Sequence, residues 1–258
     1  GQTYSQFGEW HCATSNPPGH AATIGIMAHE LGHDLGLPDL YDTDGSSEGI
    51  GNWSVMAGGS WNGTSLAGDS PAHFDPWSKY FEGWVSPTLV TTNLANETIS
   101  QAATSADVYQ FLPGTPSSGE YFLIENRQKT GYDAALPGAG LLIWHIDASK
   151  SGNTQECYPG GSVPCTANTH YKVALVQADN LFNLEKGNNR GDAGDPWPGS
   201  TGKTAFNDTS SPNSNLYSGS PSGISVSGIS ASGPTMTANF GGADTTPPNT
   251  QITGGPLS

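Results

Sequence analysis

Apolar positions recur with a helical period early in the chain. Between Ala21 and Leu35, the residues Ile24, Met27, Ala28, Leu31 and Leu35 fall at i, i+3, i+4, i+7 and i+11, which is one face of a helix. Gly36 follows as a C-terminal stop, and Pro38 forbids continuation. Residues 39–70 are rich in Gly, Asp and Ser and read as loop. A second short helix is predicted over Pro71–Phe81, with Asp69 or Ser70 as its N-cap. After Trp84 the period changes. Apolar and β-branched runs at Val108–Leu112, Tyr121–Glu125, Gly140–Ile146, Tyr171–Ala178, Ile224–Ser230 and Thr235–Phe240 read as strands between Gly/Pro/Asn/Ser loops. Thr3–Trp10 reads as an edge strand. The pattern predicts an α+β chain: a helix-bearing part over residues 1–84, a β-rich domain over 85–242, and a polar, aperiodic linker over 243–258 that leads into an absent module.

Composition narrows the function. Eight basic residues face 23 acidic ones, for a net charge of -15. Phosphate binding needs a basic face, so nucleic acid is excluded as the main partner, as is an anionic membrane surface. No apolar run approaches the roughly 18 residues of a membrane span, so no membrane insertion is expected. The chain starts at Gly1 without a signal-peptide pattern, which predicts a processed or excised piece. Of the three cysteines, Cys157 and Cys165 bracket a turn-rich segment whose ends can meet in a disulfide, the alternative being two free thiols. A disulfide would imply an oxidising compartment. Cys12 is left over.

The first helix carries His29-Glu30-Leu31-Gly32-His33. Residues four apart on a helix stand one turn above each other, so both imidazoles can reach one metal ion. Glu30 can then point at a water on that metal. Zinc lowers the pKa of such a water to roughly 7, where a carboxylate can take its proton at neutral pH. From the chain's own composition this five-residue motif arises by chance with a probability on the order of 1%. The continuation to Gly36 and Asp39 lowers that to roughly one in ten thousand. The glycine lets the backbone turn sharply, so Asp39 can swing back as a third ligand and leave a fourth position open.

With this spacing the sequence resembles the metzincins, and within them the immune inhibitor A (M6) family of secreted bacterial metallopeptidases. HELGHDLGLPDLYDTDG (29–45) resembles that family's active-site signature, and so does the stretch from Trp53 through Met56 to Trp61. The resemblance implies a metzincin-like catalytic portion with an active-site helix, a Met-turn at Met56 and a closing helix within 71–84, followed by the β-rich domain. Metzincins carry a sizeable upper half before the active-site helix, where only residues 1–20 stand here. Residues 1–84 are therefore expected to be the C-terminal portion of a catalytic domain.

The expected function is that of a secreted, extracellular zinc endopeptidase acting on protein or peptide substrates. His29, His33 and Asp39 hold Zn²⁺, Glu30 is the general base, and further domains belong to the same parent chain. Glu48 or Glu82 is the alternative third ligand. A reading of another class is a secreted binding or adhesion module with an idle or structural metal site. Asp42, Asp44 and Glu48 resemble a short calcium loop, with a solvated acidic loop as the alternative, and Asp192 and Asp195 form a second calcium candidate. His73 reads as a helix-surface or core histidine, with oxyanion donor as the alternative. His145, inside an apolar strand, reads as a satisfied core histidine.

Overall fold

The computed structural model describes residues 6–11 and 19–242. Cys12, the start of the Thr3–Trp10 strand and the 243–258 linker lie outside the described residues. In chain order the elements are β1 (Trp10–His11), β2 (His20–Ala21), α1 (Ile24–Asp34), α2 (Pro76–Phe81), β3 (Thr88–Leu89), β4 (Leu94–Ser100), β5 (Tyr109–Phe111), β6 (Glu120–Arg127), β7 (Gly140–Asp147), β8 (Val173–Leu175), β9 (Ala205–Asn207), β10 (Ser225–Ser227) and β11 (Thr235–Gly241). The architecture is α+β. Short 3₁₀ turns stand at Gly51–Trp53, Gly58–Trp61, Gly131–Ala135 and Gly199–Thr201.

A five-stranded sheet runs β3-β5-β6-β7-β8 and a four-stranded sheet runs β4-β11-β10-β9. Strands β6 and β7 are the centre, paired antiparallel over their full length from Glu120↔Asp147 to Arg127↔Gly140. Side chains alternate across a strand. On one face Tyr121, Leu123, Leu142, Trp144 and Ile146 pack against Leu40, Trp53, Met56 and Trp77 from the first 85 residues. On the other face Phe122, Ile124, Leu141 and Ile143 pack against Phe206, Val226, Met236 and Phe240 of the four-stranded sheet. Burial on both faces explains why β7 reads as an unbroken apolar run, without the in-out alternation of a half-exposed strand.

Two helical details differ from the sequence pattern. The apolar stripe of α1 stays at the surface, with Ile24, Met27, Leu31 and Leu35 all exposed. Its buried residues are Gly25, His29 and Gly32. A Cβ at Gly25 would run into the Ser60 and Gly68 carbonyl oxygens, and one at Gly32 into Met56. Small residues therefore let the helix backbone lie directly on the 54–68 loop. The second helix starts later, at Pro76, because Asp75 caps it: its carboxylate accepts from the Ser78 N–H at 2.9 Å and proline occupies the first turn. Asp69 instead accepts the backbone N–H groups of Thr64, Ser65 and Leu66, which closes a separate turn. Strands β3, β4 and β9 have no counterpart in the sequence pattern.

One buried charge network joins the loop-rich first part to the sheet. Arg127 is 0% exposed. Its guanidinium donates twice to Asp133, at 2.8 and 2.6 Å, and once each to Glu125 (3.1 Å) and the Trp53 carbonyl (3.3 Å). Lys79 completes the group at 2.6 Å from Glu125. Removing one partner of a buried pair strands the others' charge. Arg127→Met is expected to lower unfolding stability by about 3–5 kcal/mol, read from the midpoint of urea denaturation.

Glu185 behaves oppositely, having no cation at hydrogen-bond distance among the described residues. Burial pushes its carboxyl up to about 7, while the Gln177 amide donates to it at 2.7 Å. A folded pKa above the ordinary value of 4.5 means the native state holds the proton longer than the unfolded chain does. This contribution is full below pH 4.5 and is lost as pH rises through about 7. Glu185→Gln is expected to flatten the fall in melting temperature between pH 5 and 7.5 relative to wild type; parallel curves for the two proteins would contradict this.

Candidate metal centre

Helix α1 places His29 and His33 one turn apart with their rings edge to face, 4.7 Å between centroids. The helix ends at Asp34, and Gly36 takes φ +104, a left-handed conformation that a residue with a Cβ adopts at a cost. That turn brings Asp39 back beneath the imidazoles. Asp39 Oδ1 lies 3.2 Å from His29 Nε2 and 3.1 Å from His33 Nε2, and the two Nε2 atoms are 3.1 Å apart.

The tautomers follow from the far side of each ring. His29 Nδ1 lies 2.8 Å from the Val55 carbonyl and His33 Nδ1 lies 2.9 Å from the Leu37 carbonyl. A carbonyl only accepts, so each Nδ1 carries the proton and each Nε2 presents a lone pair. Asp39 Oδ1 is buried without a donor. Three lone-pair atoms thus face one another, an arrangement that a cation among them would relieve. Ligand–ligand edges of 3.1–3.2 Å are close to the roughly 3.3 Å edge of a tetrahedron with metal–ligand bonds of about 2.0–2.1 Å. The residues present fit a zinc ion.

The electrostatics agree. Burial disfavours the charged form of His29, but the Asp39 carboxylate, the Val55 carbonyl and Glu30 outweigh it and raise the ring's affinity for a positive charge. Burial likewise opposes charge on Asp39, and the two imidazoles hold its carboxyl below the usual range. The Tyr41 ring stacks on His29 with centroids 6.2 Å apart, and burial together with Asp39 and Glu30 pushes its phenol up. Tyr41 is a residue that sequence reasoning missed, since a lone tyrosine after the motif carries no periodic signal.

Below the helix, Met56 is fully buried and fills the space left by Gly32. Beside the histidines opens a cleft of about 460 Å³ lined by His29, Glu30, Tyr41, Glu48, Trp61 and Arg190, among others. Glu30 and one face of His29 thus share a single solvent-reachable space.

The other sequence candidates sort by position. Asp42 accepts from the Ser46 and Ser47 hydroxyls, Asp44 accepts from the Ser46 N–H, and Glu48 pairs with Arg190 at 2.8 Å. Among the described residues these three do not converge as a ligand set, whereas Asp192 and Asp195 do, joined by Asp179. Neither Glu48 nor Glu82 joins the histidines. His73 lies outside the cleft, in an apolar groove with Ile24, Ala28 and Tyr132. Burial, with Arg127 and Lys79 nearby, lowers its proton affinity. His145 is a core residue bonded to Glu120 at 2.9 Å and stacked between Phe122 and Tyr217. Cys157 and Cys165 are joined in a disulfide, with Cα atoms 4.9 Å apart.

Two imidazoles with fixed tautomers, a returning carboxylate and a neighbouring glutamate in a cleft define a metallopeptidase-type centre of the HExxH class. The immune inhibitor A peptidase M6 catalytic domain matches residues 11–85, so this segment is similar to that family's catalytic domain. It is 57% identical over 60 residues to Immune inhibitor A of Bacillus thuringiensis subsp. alesti, covering 22% of this chain and 9% of that protein. It is 50% identical over 62 residues to the Pre-pro-metalloprotease PrtV of Vibrio cholerae serotype O1 strain M66-2, covering 23% of this chain and 7% of that protein. The chain thus matches less than a tenth of the length of these curated relatives. No helix among the described residues is long and apolar enough to cross a membrane.

If the three converging atoms hold one ion, wild-type protein should carry about one zinc per chain by inductively coupled plasma mass spectrometry. Asp39→Ala should drop well below that under the same dialysis. Equal zinc in both would remove Asp39 from the ligand set.

Proposed function

We propose that this chain carries the catalytic centre of a secreted zinc endopeptidase that hydrolyses protein or peptide substrates. The observation that carries the reading is the convergence of His29 Nε2, His33 Nε2 and Asp39 Oδ1 within 3.2 Å of one another, beside a cleft that Glu30 also lines. Zinc bound there would supply Lewis acidity, polarising a peptide carbonyl and lowering the pKa of water.

The chain's own residues do the rest. The Val55 and Leu37 carbonyls hold the imidazoles in the tautomer that leaves Nε2 free to bind. Glu30 takes the proton of the attacking water and hands it to the departing amine, serving first as base and then as acid. Tyr41 presents its phenol beside Asp39 at the cleft. Met56 packs against Gly32 beneath the helix, which supports reading it as a Met-turn residue. Secretion is supported by the disulfide, which persists in oxidising compartments, and by the name of the Vibrio relative as a pre-pro-metalloprotease. The short coverage of both relatives supports further domains in the same parent chain.

Glu30→Gln keeps the shape and the metal ligands but cannot shuttle a proton. It is expected to retain zinc and to lose at least 10²-fold in casein hydrolysis. Full activity in a zinc-loaded Glu30→Gln protein would overturn the mechanism. Zinc-loaded wild type that cleaves no member of a peptide panel would favour the binding-module reading instead.

A further inference from the structure

A second carboxylate group, with one buried acceptor that has no donor, lies outside the peptidase centre. Asp179, Asp192 and Asp195 each place a carboxylate oxygen within 4.8 Å of the other two. Acidic groups often cluster at surfaces without consequence, but this group is anchored in the interior. Asp195 is 0% exposed. Its Oδ2 accepts from the Trp53 indole and the Asp192 N–H, both at 3.0 Å, while its Oδ1 is buried with no hydrogen-bond partner. A buried acceptor with no donor is uncommon in native proteins and points to a missing partner.

The backbone is shaped around the same point. A Cβ on Gly194 would meet Asp179 Oδ2 at 2.5 Å and Asp192 Oδ1 at 2.9 Å, so only glycine allows both carboxylates to close in. The Asp179 N–H donates to the Gly194 carbonyl at 3.0 Å, and the Ala178 N–H donates to the Asp195 carbonyl at 2.9 Å. Asn183 and Asn189 amides hold the outer oxygen of Asp192 at 3.3 and 2.8 Å. Among the described residues no lysine or arginine pairs with any of the three. Their mutual repulsion, added to burial, makes Asp195 reluctant to ionise alone.

We propose that Asp179, Asp192 and Asp195 form a structural calcium site that locks the 189–195 loop onto the peptidase segment. The three candidate ligands are all carboxylate oxygens, which suits a hard divalent cation and offers no nitrogen or sulfur to zinc. The same loop reaches the cleft. The Arg190 carbonyl accepts from the Asn52 N–H at 2.7 Å, and the Arg190 side chain lines the cleft paired with Glu48. Calcium would therefore steady one wall of the space that holds Glu30. This last consequence rests on the peptidase reading; the binding itself does not.

The test uses the purified chain, stripped of divalent ions and reloaded with one equivalent of zinc. Calcium is titrated by isothermal calorimetry, with melting temperature followed in parallel. Wild type should bind one calcium per chain and melt about 5 °C higher at saturating calcium. Asp179→Asn and Asp195→Asn should each lose that shift, and Asp195→Asn should melt no lower than wild type in the calcium-free state. Asp44→Asn, in the other acidic loop, should keep the shift. The proposal is overturned if wild type shows no calcium heat at millimolar ion, if both site variants keep the full shift, or if Asp44→Asn abolishes it. Terbium in place of calcium gives a readout independent of melting. Trp53 beside Asp195 should sensitise its luminescence in wild type but not in Asp179→Asn; equal emission from the two would count against the site. All these readouts are separate from hydrolysis, so an inactive protein that binds calcium would sink the peptidase reading and leave this one standing.

Discussion

The buried guanidinium of Arg127 is the charge around which the first half of the molecule is arranged. It bridges Asp133 and Glu125 and also donates to the Trp53 carbonyl. Trp53 begins a four-residue stretch in which each residue makes a separate tie. The Trp53 indole donates to Asp195, and the Ser54 hydroxyl donates to Asp75 at 2.8 Å. The Val55 carbonyl holds His29 at 2.8 Å, and Met56 lies under Gly32. The metal centre is therefore held from below by a loop with almost no regular structure of its own. The precision that a helix or strand would give comes instead from buried polar contacts to Arg127 of β6, to the cap of α2, to α1 and to the 189–195 loop. Such networks are unforgiving, because each member strands a buried partner when it is lost.

Both ion-binding candidates follow one physical rule with different donors. Each gathers acceptors, two Nε2 atoms and Asp39 Oδ1 in one case and three carboxylates in the other, and leaves one buried oxygen, Asp39 Oδ1 or Asp195 Oδ1, without a donor. Two imidazoles and one carboxylate form a small mixed set that matches zinc. An all-carboxylate set suits calcium. Trp53 is common to both, through its indole to Asp195 and through its position two residues before Val55. The two sites are about one loop apart, and the loop is the one that Arg127 secures.

Local chemistry was readable in the sequence and distant chemistry was not. The spacing of His29, His33, Gly36 and Asp39 is a statement about one helix and one turn, and the structure brings those residues together as the 3.6-residue period and the glycine demand. Strand β7 was visible as an apolar run because it is buried on both faces. The buried side of α1 was illegible, because its contacts are made by Gly25 and Gly32, whose role is to be absent. The pattern alone does not pick Asp75 as the cap, because Asp69 and Ser70 precede the first apolar residues just as plausibly. What separates them is a long-range tie, the Ser54 hydroxyl on Asp75, 21 positions away. Asp179 was missed for the same reason: it joins Asp192 and Asp195 only through the pairing of the 178–179 turn with the 194–195 loop.

Net charge connects these points. With eight basic residues against 23 acidic ones, cations are scarce, and those nearest the site are engaged elsewhere. Arg127 and Lys79 serve Glu125 and Asp133, Arg190 serves Glu48, and Lys172 donates to the Ala148 and Lys150 carbonyls. Carboxylates brought together by the fold must then accept protons, stay apart or recruit an ion from solution. Glu185 takes the first course, being pushed up to about 7 by burial. Asp69 takes a milder one, satisfied by backbone N–H groups at the surface. The Asp179–Asp192–Asp195 group has neither a basic side chain nor enough donors, and its most buried oxygen has none at all. Asp195, pushed up to about 7 by burial and by its two carboxylate neighbours, can hold a proton as Glu185 does, and a divalent cation would be the other way to let that loop close.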